Sequence, residues 1–168
     1  MFKIPAIPQW DALHPLLVHF PIALLLVVPL LIFLGLVWKK QRQCFFTTGL
    51  ILMILGTIAV FFAVSTGEAA GELAERSAEM SPVLKRHNEL AHLTQTIFTI
   101  LTIVYAGILF LPSLLKKEIK PVLKMVMIIV FLIVYLLCSL VLANTADHGG
   151  RLVHQFGVHT LLSTAWTP

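Results

Sequence analysis

Six of the seven histidines in this chain stand in three pairs of one spacing: His14 and His19, His87 and His92, His154 and His159. His148 lies just ahead of the third pair. Imidazole is the commonest protein ligand for transition metals and for haem iron, and an ionisable group near membrane depth is costly enough to imply a use. The chemistry these residues point to is ligation. Five residues of regular helix rotate about 140° and advance about 7.5 Å, so the two members of a pair cannot aim at one atom. That spacing leaves room for one or two haems. The two cysteines, Cys44 and Cys138, form no C-x-x-C-H pattern, which excludes covalent haem attachment. Haem b, held by axial ligation and packing alone, is the expected cofactor, and a copper, zinc or iron ion is the alternative.

The elements that must position these histidines are transmembrane helices. With 58% hydrophobic residues and only 12% charged, the chain is too apolar for a soluble domain. Four apolar stretches, near residues 14–38, 44–65, 88–112 and 122–145, can each cross a hydrocarbon core that takes roughly 20 helical residues. The fold class is therefore all-α: an integral membrane four-helix bundle, a single domain over residues 1–168 with an amphipathic tail over 146–168. No P-loop, nucleophile elbow, zinc-protease or EF-hand pattern occurs, so hydrolase and nucleotide-binding functions have no support. Trp10 and Trp38 are separated by about 42 Å of helix, the thickness of a bilayer with its headgroup layers.

Lys39, Lys40 and Arg42 follow the first span, and Lys116, Lys117, Lys120 and Lys124 follow the third. By the positive-inside rule both loops are expected in the cytoplasm and both termini on the outer, periplasmic side of a bacterial inner membrane. Every histidine then gathers on that outer side. Asp11, Glu68, Glu72, Glu75, Glu79, Glu89 and Asp147 share it, so the net charge of +4 belongs to the inner loops and is no nucleic-acid signal.

In the opening His14-Pro-Leu-Leu-Val-His-Phe-Pro, Pro15 suits a first helical turn, while Pro21 lacks the amide that would bond the carbonyl of Leu17. A bent helix entrance between His14 and His19 is expected. In the third span, Asn88, His92, Gln95, Thr99 and Thr102 recur at three- and four-residue steps, a polar stripe expected to look into the bundle. Gln95 would then support the ring of His92 or the polar edge of a ligand. His19 and His92, a turn or more inside their helices, are expected to be the buried ligands, with His14 and His87 at the rim. Gly49, Gly56 and Ala63 fall at heptad spacing and form a seam for close helix approach. Glu68 and Glu72 read as a solvated acidic rim. Gly149-Gly150 is expected to break the fourth helix and free a lid that carries His154 and His159. The cofactor set is thus His14, His19, His87, His92 and Gln95. A metal set drops Gln95, adds His154 and His159, and holds His148 as a weaker member.

The histidine-proline opening, Thr66-Gly67 after the second span, His87 at the start of the third, and Gly149-Gly150-Arg-Leu-Val followed by Gly157-Val158 together resemble the bacterial membrane family called domain of unknown function 2231. The resemblance spans nearly the whole chain. It implies four transmembrane helices and, in some members, association with cytochrome-like domains, without an established activity. It makes His14, His19 and His87 the family-type positions. His92, His148, His154 and His159 are additions, and at His154 and His159 similar sequences tend to carry tyrosine and glycine.

The resulting expectation is a b-type haem protein that passes electrons between membrane quinol and a periplasmic redox partner, as a subunit of an oxidoreductase. One rival is a metal-binding or transfer protein, which needs three or four imidazoles within about 2 Å of one ion. The other is a structural or assembly protein without a cofactor. Composition requires the lipid bilayer as a partner, excludes nucleic acid and leaves homo-oligomerisation open.

Overall fold

A computed structural model describes residues 9–74, 77–116 and 119–158, and all regular structure among them is helical. After a 3-10 turn at Asp11–Leu13 come α1 (His14–Leu17), α2 (His19–Val37), α3 (Arg42–Leu73), α4 (Met80–Leu114) and α5 (Pro121–Phe156). The interruption at Val18 is the bend expected from Pro21. The run Asp11–Val37 and helices α3, α4 and α5 are each long and apolar enough to span a membrane.

Contacts join α2 to α3, α3 to α4, α4 to α5 and α2 to α5, so the helices close a ring with α2 diagonal to α4 and α3 diagonal to α5. Leu25, Val28, Ile32, Met53, Phe98 and Ile128 form its fully buried centre. Two tyrosines belong to the same core because each phenol finds a backbone acceptor. Tyr135 Oη donates to the Leu25 carbonyl at 2.8 Å and Tyr105 Oη to the Phe46 carbonyl at 3.4 Å. The Tyr105 ring stacks on Phe131 with centroids 4.8 Å apart. Leu30, Phe33, Ile58, Phe61, Ile103 and Leu137 point outward, as a lipid-facing surface requires.

The small-residue seam does what its spacing implies. Gly49, Gly56 and Ala63 are buried, and a β-carbon at Gly56 would stand 2.7 Å from Leu25 Cδ2. Only glycine lets α2 and α3 approach this closely.

One end of α5 departs from expectation. The helix runs through Gly149-Gly150 without a break and stops at Gly157, whose φ of 64° is the left-handed cap that glycine favours. The stretch up to Phe156 is therefore continuous helix and forms no hinged lid, and His159 lies outside the described residues. Glycine lowers helix propensity in water, but in a packed bundle its missing side chain is an asset. Seven residues of helix extend past the histidine level on α3 (Thr66 to Leu73), on α4 (His87 to Met80) and on α5 (Gly149 to Phe156). That is about 10 Å of wall around one end of the bundle.

Candidate functional site

His14 is the first residue of α1, with Pro15 behind it at a position where a missing amide costs nothing. Its ring turns toward α3. The Nδ1–H donates to the Ala63 carbonyl at 2.9 Å, and the Thr66 hydroxyl oxygen lies 3.3 Å away as a second acceptor. Thr66 sends its own hydrogen back to the Phe62 carbonyl at 2.8 Å, which leaves an oxygen lone pair for the imidazole. His87, half-buried on α4, makes the same kind of bond to α5: its Nδ1–H donates to the Thr145 carbonyl at 3.0 Å. A carbonyl can only accept. Both rings therefore carry hydrogen on Nδ1 and keep the Nε2 lone pair for something else.

The two rings meet across the bundle from diagonal helices, with centroids 6.5 Å apart and planes at 79°. Each sits against a helical glycine. A β-carbon at Gly67 would come within 2.7 Å of His14 Cε1, and one at Gly149 within 3.0 Å of His87 Cε1. His14 and His87 line a cavity of about 1070 Å³ bounded by all four spans, which His19, His154, Glu68 and Lys85 also border. In its wall, a Thr94–Thr145 hydroxyl bond of 2.8 Å ties α4 to α5.

The other histidines are placed differently. His19 is exposed at the start of α2, and His154 is exposed on the last turn of α5. His92 is exposed and its Nε2–H donates to Glu68 Oε1 at 2.9 Å, so Glu68 is a partner as well as a rim charge. His148 donates its Nδ1–H one turn back to the Asn144 carbonyl at 2.9 Å. Gln95 is half-buried and is not among the cavity-lining residues. Among the described residues no three histidine, cysteine or acidic side chains converge as a metal site, and Cys44 and Cys138 are both free thiols.

The inward expectation for the stripe Asn88, His92, Gln95, Thr99 and Thr102 holds only in part: Asn88 borders the cavity and the Thr102 hydroxyl meets that of Thr57 on α3 at 2.8 Å, whereas His92 is exposed and Gln95 does not reach the cavity. The face of α4 that enters the core is instead His87, Leu90, Thr94, Phe98, Leu101 and Tyr105. Thr99 donates to the Gln95 carbonyl at 2.7 Å and Thr102 to the Phe98 carbonyl at 2.7 Å. Thr99, bonded to its own helix, has no need of the bundle interior. In the first two pairs the five-residue spacing works as a divider: His14 and His87 point in, and His19 and His92 are exposed.

Backbone acceptors and glycine seats were invisible as functional positions in the residue types alone. Their signal was present in the two glycines that follow Ala63 and Thr145 by one helical turn.

A family described as "Predicted membrane protein (DUF2231)" matches residues 10–161, which includes His14, His87 and both glycine seats. No curated protein and no solved structure matches the chain.

Proposed function

The chain belongs to the DUF2231 family of predicted membrane proteins, and from that premise we propose that it is a membrane-embedded b-type haem protein with His14 and His87 as its axial ligand pair. The observation that carries this reading is the 6.5 Å between ring centroids at the wall of a cavity of about 1070 Å³. Two imidazoles ligating one metal from opposite sides, with bonds of about 2 Å, have centroids about 6 Å apart. The volume lies at the upper end of cofactor sites, which run to about 1,000 Å³. An Nδ1–H bonded to a carbonyl is the usual orienting partner of a ligating imidazole. Lys85 at the cavity border supplies a cation for an acidic ligand edge. Because one pair converges, one haem is favoured over two.

An axial pair fills both open coordination positions, so the site suits electron transfer better than substrate chemistry. Membrane quinol as donor and a redox protein on the outer side as acceptor complete the reading, with this chain as an oxidoreductase subunit. Acid-acetone extraction of the purified protein, followed by a pyridine haemochrome assay, should recover non-covalent haem near one per chain. Substoichiometric haem despite supplementation with haem precursor rejects the proposal. A bound copper ion without a Soret band selects a second reading, favoured by the two-donor set: one monovalent copper between the rings. Zinc and non-haem iron call for more ligands than the two that converge.

The lysine and arginine bias supports a periplasmic placement of the histidine end at the inner membrane. In a background without Cys44 and Cys138, Ala78→Cys should react with an impermeant thiol reagent in intact cells, while Lys40→Cys should resist until the cells are opened. The reverse pattern turns the site to the cytoplasm and removes the periplasmic acceptor.

A further inference from the structure

The two imidazoles share more than a cavity. A shift of 73 positions carries His14 to His87 and His19 to His92, and the same shift carries the buried Leu25, Val28 and Ile32 of α2 onto the buried Phe98, Leu101 and Tyr105 of α4. A shift of 82 carries Ala63 to Thr145 and Gly67 to Gly149, and it also carries the buried Phe46, Met53 and Val60 of α3 onto the buried Ile128, Tyr135 and Leu142 of α5. Any helix matches another at some offset. It is not automatic that the offset set by the histidines aligns the core faces of α2 and α4, or that the offset set by their acceptors aligns α3 and α5. An acceptor position repeats as well, although its donors differ, the counterpart of Tyr135 being Met53, one helical turn before Thr57. The Leu25 carbonyl accepts from Tyr135 on α5, and its counterpart, the Phe98 carbonyl, accepts from Thr57 on α3 at 3.4 Å.

We infer that the bundle is a duplicated helical hairpin in which each copy builds one half-site from three parts: a histidine, a carbonyl that receives its Nδ1 hydrogen, and a glycine that leaves space for the ring. His14, Ala63 and Gly67 form one half-site, and His87, Thr145 and Gly149 form the other. The halves lie about a pseudo-twofold axis along the bundle, and both hairpins start from the same end. The ligand on that axis meets like donors from both sides. This identifies its class as a metal centre taking two imidazoles across it, and makes a general acid paired with a general base a poor match. The identity of that ligand rests on the haem reading; the half-sites themselves do not. Gly67 and Gly149 become positioning residues, because a methyl at Gly67 would force the His14 ring to shift and one at Gly149 would crowd the His87 ring against its seat.

The test uses the full chain, loaded with haem and also ligand-free in micelles. Gly67→Ala and Gly149→Ala should each weaken haem retention about tenfold or more, the range seen when a ligand's supporting partner is lost. Gly150→Ala, whose β-carbon has open space, should retain haem like the parent. In ligand-free protein, histidine-selective nitrogen-15 spectra should show the Nδ1–H tautomer for both His14 and His87. Gly67→Ala should disturb only the His14 signal and Gly149→Ala only the His87 signal, with unchanged helix content. If Gly149→Ala behaves like Gly150→Ala in both measurements, or one half-site responds and the other is silent, the duplication of function is overturned. If the nitrogen signals respond as expected while even the parent binds no haem, the half-sites stand and the haem reading falls.

Discussion

If His14 and His87 hold a haem as proposed, His14→Ala and His87→Ala should each abolish its six-coordinate spectrum, while His19→Ala and His92→Ala leave it nearly unchanged. Removing one axial imidazole leaves the metal held by the other alone, and either loss should lower haem retention by about 100-fold or more. The double variant should be little worse than either single one, since the two rings act on one centre and their effects do not add. His19 and His92 are exposed, and His92 is bonded to Glu68, so their truncation mainly removes rim polarity. Absorption spectra of matched preparations decide the matter. Intact haem in His14→Ala together with loss in His92→Ala would place the ligand on the rim side of α4 and reject the pair described above.

The second large effect concerns the scaffold. Gly56→Ala should destabilise the bundle, because its β-carbon would lie 2.7 Å from Leu25 Cδ2 and 2.8 Å from Leu25 Cγ, and Leu25 is fully buried with no alternative space. The helices must part or Leu25 must leave its rotamer, at a cost of about 1–3 kcal/mol. Gly107→Ala offers the opposite case. Nothing lies within 4 Å of the added carbon, so the only change is a better helix former, worth up to about 1 kcal/mol of gained stability. Unfolding in mixed micelles with increasing denaturing detergent measures both. The seam argument fails if the two substitutions shift the midpoint in the same direction.

The number of membrane-spanning helices and the proline bend at Val18 were legible because hydrophobic runs and prolines act locally, whereas the lengths were not, since α3, α4 and α5 run past their apolar stretches to 32, 35 and 36 residues. The glycine seam was legible for the same reason, since heptad spacing alone puts Gly49, Gly56 and Ala63 on one face. The rotation of α4 was not. Polarity marked His92, Gln95, Thr99 and Thr102 as inward, but only Thr102 bonds across the bundle, to Thr57, while Thr99 satisfies its hydroxyl on a carbonyl one turn back and His92 bonds Glu68 at the rim. The decision instead fell to Phe98 and Tyr105, large side chains that fill the ring between four helices. Gly149-Gly150 misled for a related reason. In isolation a glycine pair reads as a stop, and only the arrival of His87 from another helix shows that the bare backbone has an occupant. Which histidines converge is a question about partners 49 and 58 residues away, and no local pattern encodes it.

Those separations also fix an order of events during synthesis. Each histidine finds its acceptor on the next helix of its own hairpin, so His14 can dock as soon as α3 has followed α2 into the membrane. His87 must wait for α5, which follows α4 out of the ribosome. Translation therefore produces a nascent chain with one imidazole docked and the other unheld, and the two-donor site closes only as α5 inserts. On the proposed haem reading, the ligand-free protein is a necessary precursor, and haem supply in the cell would govern maturation without governing insertion.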